Sequence, residues 1–273
     1  MNRIAAIAGS EFKIALRNRW VAIAVVMMAL FALVLSAAGS APTGQLGADK
    51  LSVTVASLTS LAVYLVPLMA LLMAFDAVAG EIERGTLPLV LTYPVSRAEI
   101  LAGKFVAHLA TLAIAVGAGY GIAAAAAMAM DSRAVEGIPA LVRLFWTSLL
   151  LGATFLGLAY GISAAARRPG AAAGLAIGLW LVFIVLYDLG LLAGVVADGG
   201  GTFTTAVFPW MILANPADAF RLYNLAASEA TAAAAGIAGA ANTIPPVHAL
   251  ASLLFWPAVA FLVAVATFRR VTP

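Results

Sequence analysis

Six long apolar runs limit what this chain can fold into. They are Trp20 to about Ala38, Val55 to about Phe75, Phe105 to Met130, Leu141 to Ala166, Ala171 to about Ala197 and Val247 to Phe268. A helix rises about 1.5 Å per residue and the bilayer hydrocarbon is about 30 Å thick, so roughly 20 residues suffice to cross it. Lipid offers no hydrogen bonds, so each run must satisfy its own backbone, and a helix does that. Composition points the same way. The 273 residues are 64% hydrophobic and only 10% charged, with a mean hydropathy of +1.07. A water-soluble globule of this size does not look like that. The expected fold class is an all-α membrane protein with six transmembrane helices in one domain, 1–273.

The segments between the runs set the topology. Residues 1–19 read as an amphipathic helix at the membrane interface. Ile4, Ala8, Phe12 and Leu16 share one face, and Arg3, Ser10, Lys13 and Arg17 the other. The first run exceeds the apolar core of a signal peptide, about 7–15 residues, and is expected to stay as a span. Pro67 is expected to kink the second span. Short connections cover 39–53, 131–139 and 167–170, and a long one covers 198–246. An even number of spans puts both termini on one side. Eleven Lys and Arg then fall on the side of the termini, and four (Lys50, Arg133, Arg143 and Arg221) on the other. The excess of basic residues marks the cytoplasmic side, so both termini are expected in the cytoplasm.

The densest charge lies in 76–104, between the second and third spans. Asp76, Glu81, Glu83, Arg84, Arg97, Glu99 and Lys104 are seven of the chain's 27 formal charges. Tyr93-Pro94 breaks the segment. Ser96 followed by Glu99 has the spacing of a capping box, which predicts a helix that starts there and runs into the third span. The loop is therefore expected to hold two short helices joined at a turn.

These residues resemble a known family. Glu81, Gly85-Thr86-Leu87, Leu91, Pro94-Val95-Ser96-Arg97, Ile100-Leu101 and Gly103-Lys104-Phe105 look like the first cytoplasmic loop of ABC-2 type permeases, the membrane subunits of certain ATP-driven transporters. Further stretches at Arg17-Asn18-Arg19-Trp20, Gly44-Gln45-Leu46-Gly47, Phe75 to Glu81 and Leu213 to Leu222 are similar to the ABC-2 permeases that serve nitrous oxide reductase maturation. The resemblance implies an ABC-2 (type V-like) exporter fold with an N-terminal interfacial helix and a cytoplasmic coupling helix in 76–104. It implies no catalysis by this chain. The expected partners are a second copy of the chain, a cytoplasmic ABC ATPase dimer carrying ATP and Mg, and a periplasmic partner carrying copper, in the bacterial inner membrane. Glu81, Glu83, Arg84, Gly85 and Thr86 are the expected ATPase-coupling residues. Phe203, Trp210, Asn215, Asp218 and Arg221, in an outer segment expected to lie on the membrane surface, are the expected periplasmic partner contacts. A general exporter of lipid, drug or polysaccharide is the alternative function.

Other chemistry finds little support. Gly80 and Gly85-Thr86 have the glycine spacing of a phosphate-binding loop but lack its lysine. There is no cysteine. His108 and His248 are read as packing or interface residues, as are Met69, Met73, Met128 and Met130. Asp188 is placed about 25 Å along the fifth span, near the outer interface, as a solvated acid. No series of acids crosses the membrane midplane, which argues against a proton-coupled carrier. Gly-x3-Gly runs at Gly117, Gly157, Gly170 and Gly190 are expected to bring helices close.

Overall fold

The structure, a computed structural model, describes residues 3–16, 50–226 and 244–271, with five further positions between 26 and 34. The expected first span, 20–38, falls largely outside the described residues, as do 227–243 of the long outer connection. Every regular element among the described residues is helical.

Helix α1 is Arg3–Leu16 and α2 is Lys50–Ala74, which passes through Pro67 without interruption. Two one-turn helices follow, α3 (Ala79–Glu83) and α4 (Leu87–Leu91). Helix α5, Arg97–Met130, begins at the predicted capping box: Ser96 Oγ accepts from Glu99 N at 3.2 Å, and Ser96 N donates to Glu99 Oε2 at 2.7 Å. A 3-10 turn, Ser132–Gly137, leads into α6, Ile138–Ala166. Arg167 ends α6 in the left-handed region (φ 58°), and Pro169 starts α7, Pro169–Trp180. A π turn, Leu181–Leu186, joins α7 to α8, Tyr187–Asp198. A second π turn, Phe203–Val207, enters α9, Phe208–Ala214. Helix α10 is Pro216–Leu225 and α11 is Pro246–Arg269. Five helical segments among the described residues are long and apolar enough to cross a bilayer, and they contain most of the second to sixth apolar runs.

Helix α6 is the centre of the bundle. It packs against α2, α5, α7, α10 and α11, and its Phe155 and Tyr160 are fully buried. Glycines set the tightest crossings. A Cβ on Gly157 would lie 2.8 Å from Ala260 Cβ and 2.9 Å from the backbone of Phe261 in α11. A Cβ on Gly103 would lie 2.6 Å from Ile7, where α1 crosses α5. Small residues allow such approaches, and dispersion between touching helices replaces the hydrophobic drive that lipid does not supply. The other glycine runs behave differently. Gly170, Gly174, Gly178 and Gly190 meet nothing within 4 Å, while Gly194 faces the Phe203 ring. The α7–α8 span is also peripheral: only 11% of its apolar window is buried, against 61% for the segment carrying α6.

Helix α10 of the segment expected to lie on the membrane surface is not a surface layer. Helix α10 packs against α2, α6 and α11. Phe220 is fully buried there, and Asn224 Nδ2 donates to Thr147 Oγ1 of α6 at 3.0 Å. The correction has a simple cause. The apolar face of α10 (Ala217, Phe220, Leu222) reaches the bundle core between the outer ends of three spans.

Gly157→Val should destabilise the folded bundle by about 1–3 kcal/mol through forced separation of α6 and α11. Gly190→Ala, at an open position, should not. Thermal unfolding in nanodiscs measures both.

Candidate functional site

The loop between α2 and α5 is held at both ends by the spans. At its start, the backbone N–H groups of Val78 and Ala79 both donate to Ser163 Oγ of α6, each at 3.0 Å. These are donors that a helix N-terminus leaves without intrahelical partners, so Ser163 fixes where α3 begins. Gly85, at φ 66°, ends the turn, and Thr86 N bonds back to Glu81 O at 2.9 Å. A glycine suits that left-handed position because it carries no Cβ. Leu87 is fully buried and anchors α4, while Leu89 (65% exposed) and Tyr93 (68% exposed) point away from the bundle.

At the far end, Arg97 reaches the C-terminus of α11. Its Nη1 donates to Phe268 O at 2.8 Å and to Val271 O, and the guanidinium lies 5.6 Å from the Phe268 ring centroid. A cation over the last carbonyls of a helix meets both their lone pairs and the negative end of the helix dipole.

Beneath the loop is a buried charge hub. Lys104, 4% exposed, places Nζ 2.5 Å from Glu11 Oε1 of α1 and 2.7 Å from Glu81 Oε1 of α3. One ammonium thereby ties α1, the loop and α5 together. Glu81 Oε2 is buried without a hydrogen-bond partner. One turn further along α5, His108 Nδ1 lies 2.5 Å from the hydroxyl of the buried Tyr160. Glu11, Asp76, Glu81, Arg84, Lys104 and His108 line a cavity of about 180 Å³ here.

A second polar cluster lies at the opposite end of the bundle. Asn215 caps α10, its Oδ1 accepting from Ala217 N at 2.9 Å, and its Nδ2 donates to Phe183 O at 2.7 Å, inside the first π turn. Arg221 donates to Asp188 Oδ2 through Nη1 and Nη2, both at 3.1 Å, and to Asp218 Oδ1 at 3.2 Å. Burial, and then the charge of Asp188, raise the Asp218 carboxyl to about 8. Trp210, 64% exposed, stands edge-on to His248 at 6.2 Å. Among the described residues, no group of three or more His, Cys, Asp or Glu is arranged to hold a metal ion.

The family model for ABC-2 family transporter proteins matches residues 5–272. The chain belongs to this ABC-2 permease family. The permease is 43% identical over 279 residues to the probable ABC transporter permease protein NosY of Stutzerimonas stutzeri, across 99% of each chain. It is 44% identical over 269 residues to the protein of the same description from Pseudomonas aeruginosa, across 97% of each chain.

The loop residues read from the sequence divide into two groups. Glu83, Arg84 and Gly85 are exposed on the permease's loop and Thr86 is half-buried. Glu81 is turned inward, its side chain 13% exposed and paired with Lys104, so it braces the loop rather than facing a partner. In the second cluster, Asn215 and Asp218 are buried, Arg221 is tied to Asp188, and Phe203 packs on Gly194; Trp210 alone of the five presents most of its surface. Asp188 is correspondingly an ion-pair partner rather than a free solvated acid. Sequence reasoning missed Glu11, Ser163 and the role of Arg97. Glu11 was detectable, because it is the single acid in a basic leader.

Lys104→Met should cost about 3 kcal/mol or more, because it leaves two carboxylates buried without their counterion. It should also free α1. Limited proteolysis at the N-terminus, compared with wild type, reads that release.

Proposed function

We propose that this permease couples ATP hydrolysis on a cytoplasmic NosF-like ABC ATPase dimer to copper-site maturation of nitrous oxide reductase through a periplasmic NosD-like protein. In this reading two copies of the permease form the membrane core in the bacterial inner membrane, with both termini and the 76–104 loop in the cytoplasm. ATP and Mg reside on the ATPase, copper on the periplasmic partner, and the permease itself performs no catalysis. The orientation rests on the eleven-to-four distribution of basic residues. The functional assignment rests on the near-full-length similarity to NosY permeases.

The observation that carries the coupling role is the double clamp on the loop. Ser163 of α6 holds one end and Arg97 fixes the other to α11, while Glu83, Arg84, Leu89 and Tyr93 remain exposed between them. A displacement pressed on that exposed face is delivered to two spans that pack directly on each other. Close packing transmits such movement because cores compress little. Helix α6 then reaches the outer cluster, where it bonds α10 through Thr147 and Asn224.

Reversing charge at Glu83 and Arg84 together with Tyr93→Ala should abolish ATPase stimulation and reductase maturation while leaving membrane insertion intact. Normal co-purification of the ATPase with full maturation would remove the coupling assignment. Trp210→Asp should weaken capture of the periplasmic partner at least tenfold in detergent pull-downs while the ATPase stays bound. Undiminished capture would move the partner's footprint elsewhere.

A further inference from the structure

Arg143, in the second turn of α6, is a half-buried cation that pairs with no acid among the described residues. Its Nε is enclosed without an acceptor, so the guanidinium is already partly out of water. Nη1 and Nη2 donate to no described residue either, but they are not enclosed and remain open to a partner. Two more unused donors stand beside it. Trp146 lies one turn on along the same face of α6, and its ring meets the Tyr223 ring of α10 edge-on at 5.8 Å. The Tyr223 phenol is within electrostatic reach of Arg143. Neither the Trp146 indole N–H nor the Tyr223 hydroxyl bonds to a described residue, and neither is enclosed. The three donors gather where α6 meets α10, at the end of α6 away from Ser163 and the coupling loop.

Depth in the bilayer selects the ligand. Helix α6 has 29 residues, about 43 Å at about 1.5 Å per residue. The hydrocarbon is about 30 Å thick, so a centred helix of this length extends about 7 Å past it at each end. Arg143 lies five residues past Ile138, about 7.5 Å along the axis. It therefore stands where hydrocarbon gives way to the glycerol and phosphate of the lipids. Tryptophan and tyrosine gather at that depth because each has an apolar body and a polar edge. Val142, beside Arg143, is 57% exposed, so this face is open to lipid.

We propose that Arg143, Tyr223 and Trp146 form a binding site for the phosphate group of a phospholipid. The guanidinium fork meets two phosphate oxygens through Nη1 and Nη2, a match of planar donor and oxyanion that lysine does not offer. The phenol and the indole donate to the remaining oxygens, and the acyl chains run along the exposed Val142 side. The anion balances a charge that the protein leaves uncompensated and partly dehydrated, where its attraction is least screened by water. Inorganic phosphate carries the same oxyanion, but the depth of the site favours the lipid. Arg133 differs although it lies close by in the chain. It is paired with Glu136 at 3.7 Å and both side chains are 63% exposed, so it has neither an unmet charge nor a desolvated head.

The test is native mass spectrometry of the full-length permease in detergent, titrated with dioleoylphosphatidylglycerol or with dioleoylglycerol, which has the same chains and no phosphate. The phospholipid should bind about tenfold more tightly or better. Arg143→Gln should weaken the phospholipid about tenfold and leave dioleoylglycerol unchanged. Tyr223→Phe, which keeps the ring against Trp146, should weaken it about threefold and serves if Arg143→Gln fails to fold. Arg133→Gln should leave phospholipid affinity unchanged. Excess inorganic phosphate should not displace the lipid; displacement would reassign the site to a free anion and overturn the lipid as its ligand. Equal affinity for the two lipids, unchanged phospholipid binding by both Arg143→Gln and Tyr223→Phe, or an equal loss in Arg133→Gln overturns the proposal.

Discussion

A lysine buried between two carboxylates holds one end of this permease together. Lys104 sits on α5, Glu11 on α1 and Glu81 on the loop. Burying one ammonium is costly, and the cost is met only if both acids stay in place. The three elements therefore keep one arrangement or rearrange together. Gly103, the neighbouring residue, admits the close approach of α1 that brings Glu11 within reach. Polar tie and steric permission are adjacent in sequence because they serve the same crossing.

The rest of the molecule extends that logic along α6. Ser163 near its C-terminal end orders the start of the loop, Tyr160 meets His108, Gly157 seats α11, and Thr147 nearer its N-terminal end binds α10. One helix thus touches both polar clusters. The peripheral span is joined more lightly. The Trp180 indole donates to Tyr64 O, and Asn215 donates to Phe183 O within a π turn. A π turn departs from the ordinary i→i−4 ladder, and the Asn215 amide partners one of its carbonyls.

Much of this was legible in the sequence because hydropathy and capping are local signals. Run length pointed to the five long apolar helices among the described residues, and Ser96 with Glu99 announced the start of α5. The loop's family pattern pointed to Glu81, Glu83, Arg84, Gly85 and Thr86, of which Glu83, Arg84 and Gly85 lie exposed. What was not legible depends on tertiary contact. Glu81 looked like a surface charge, and only the arrival of Lys104 and Glu11 makes it internal. Helix α10 looked like a surface helix because Asp218, Arg221 and Asn224 give it polar character. Their partners, Asp188 and Thr147, are more than thirty residues away in the chain and cannot be paired by spacing. Glycine runs were equally ambiguous: the same pattern seats a helix at Gly157 and faces open space at Gly174.

The grip of Arg97 on Phe268 and Val271 has a practical corollary. The last carbonyls of α11 are held by a side chain from the first turn of α5, so a spin label on either helix end reports the motion of both.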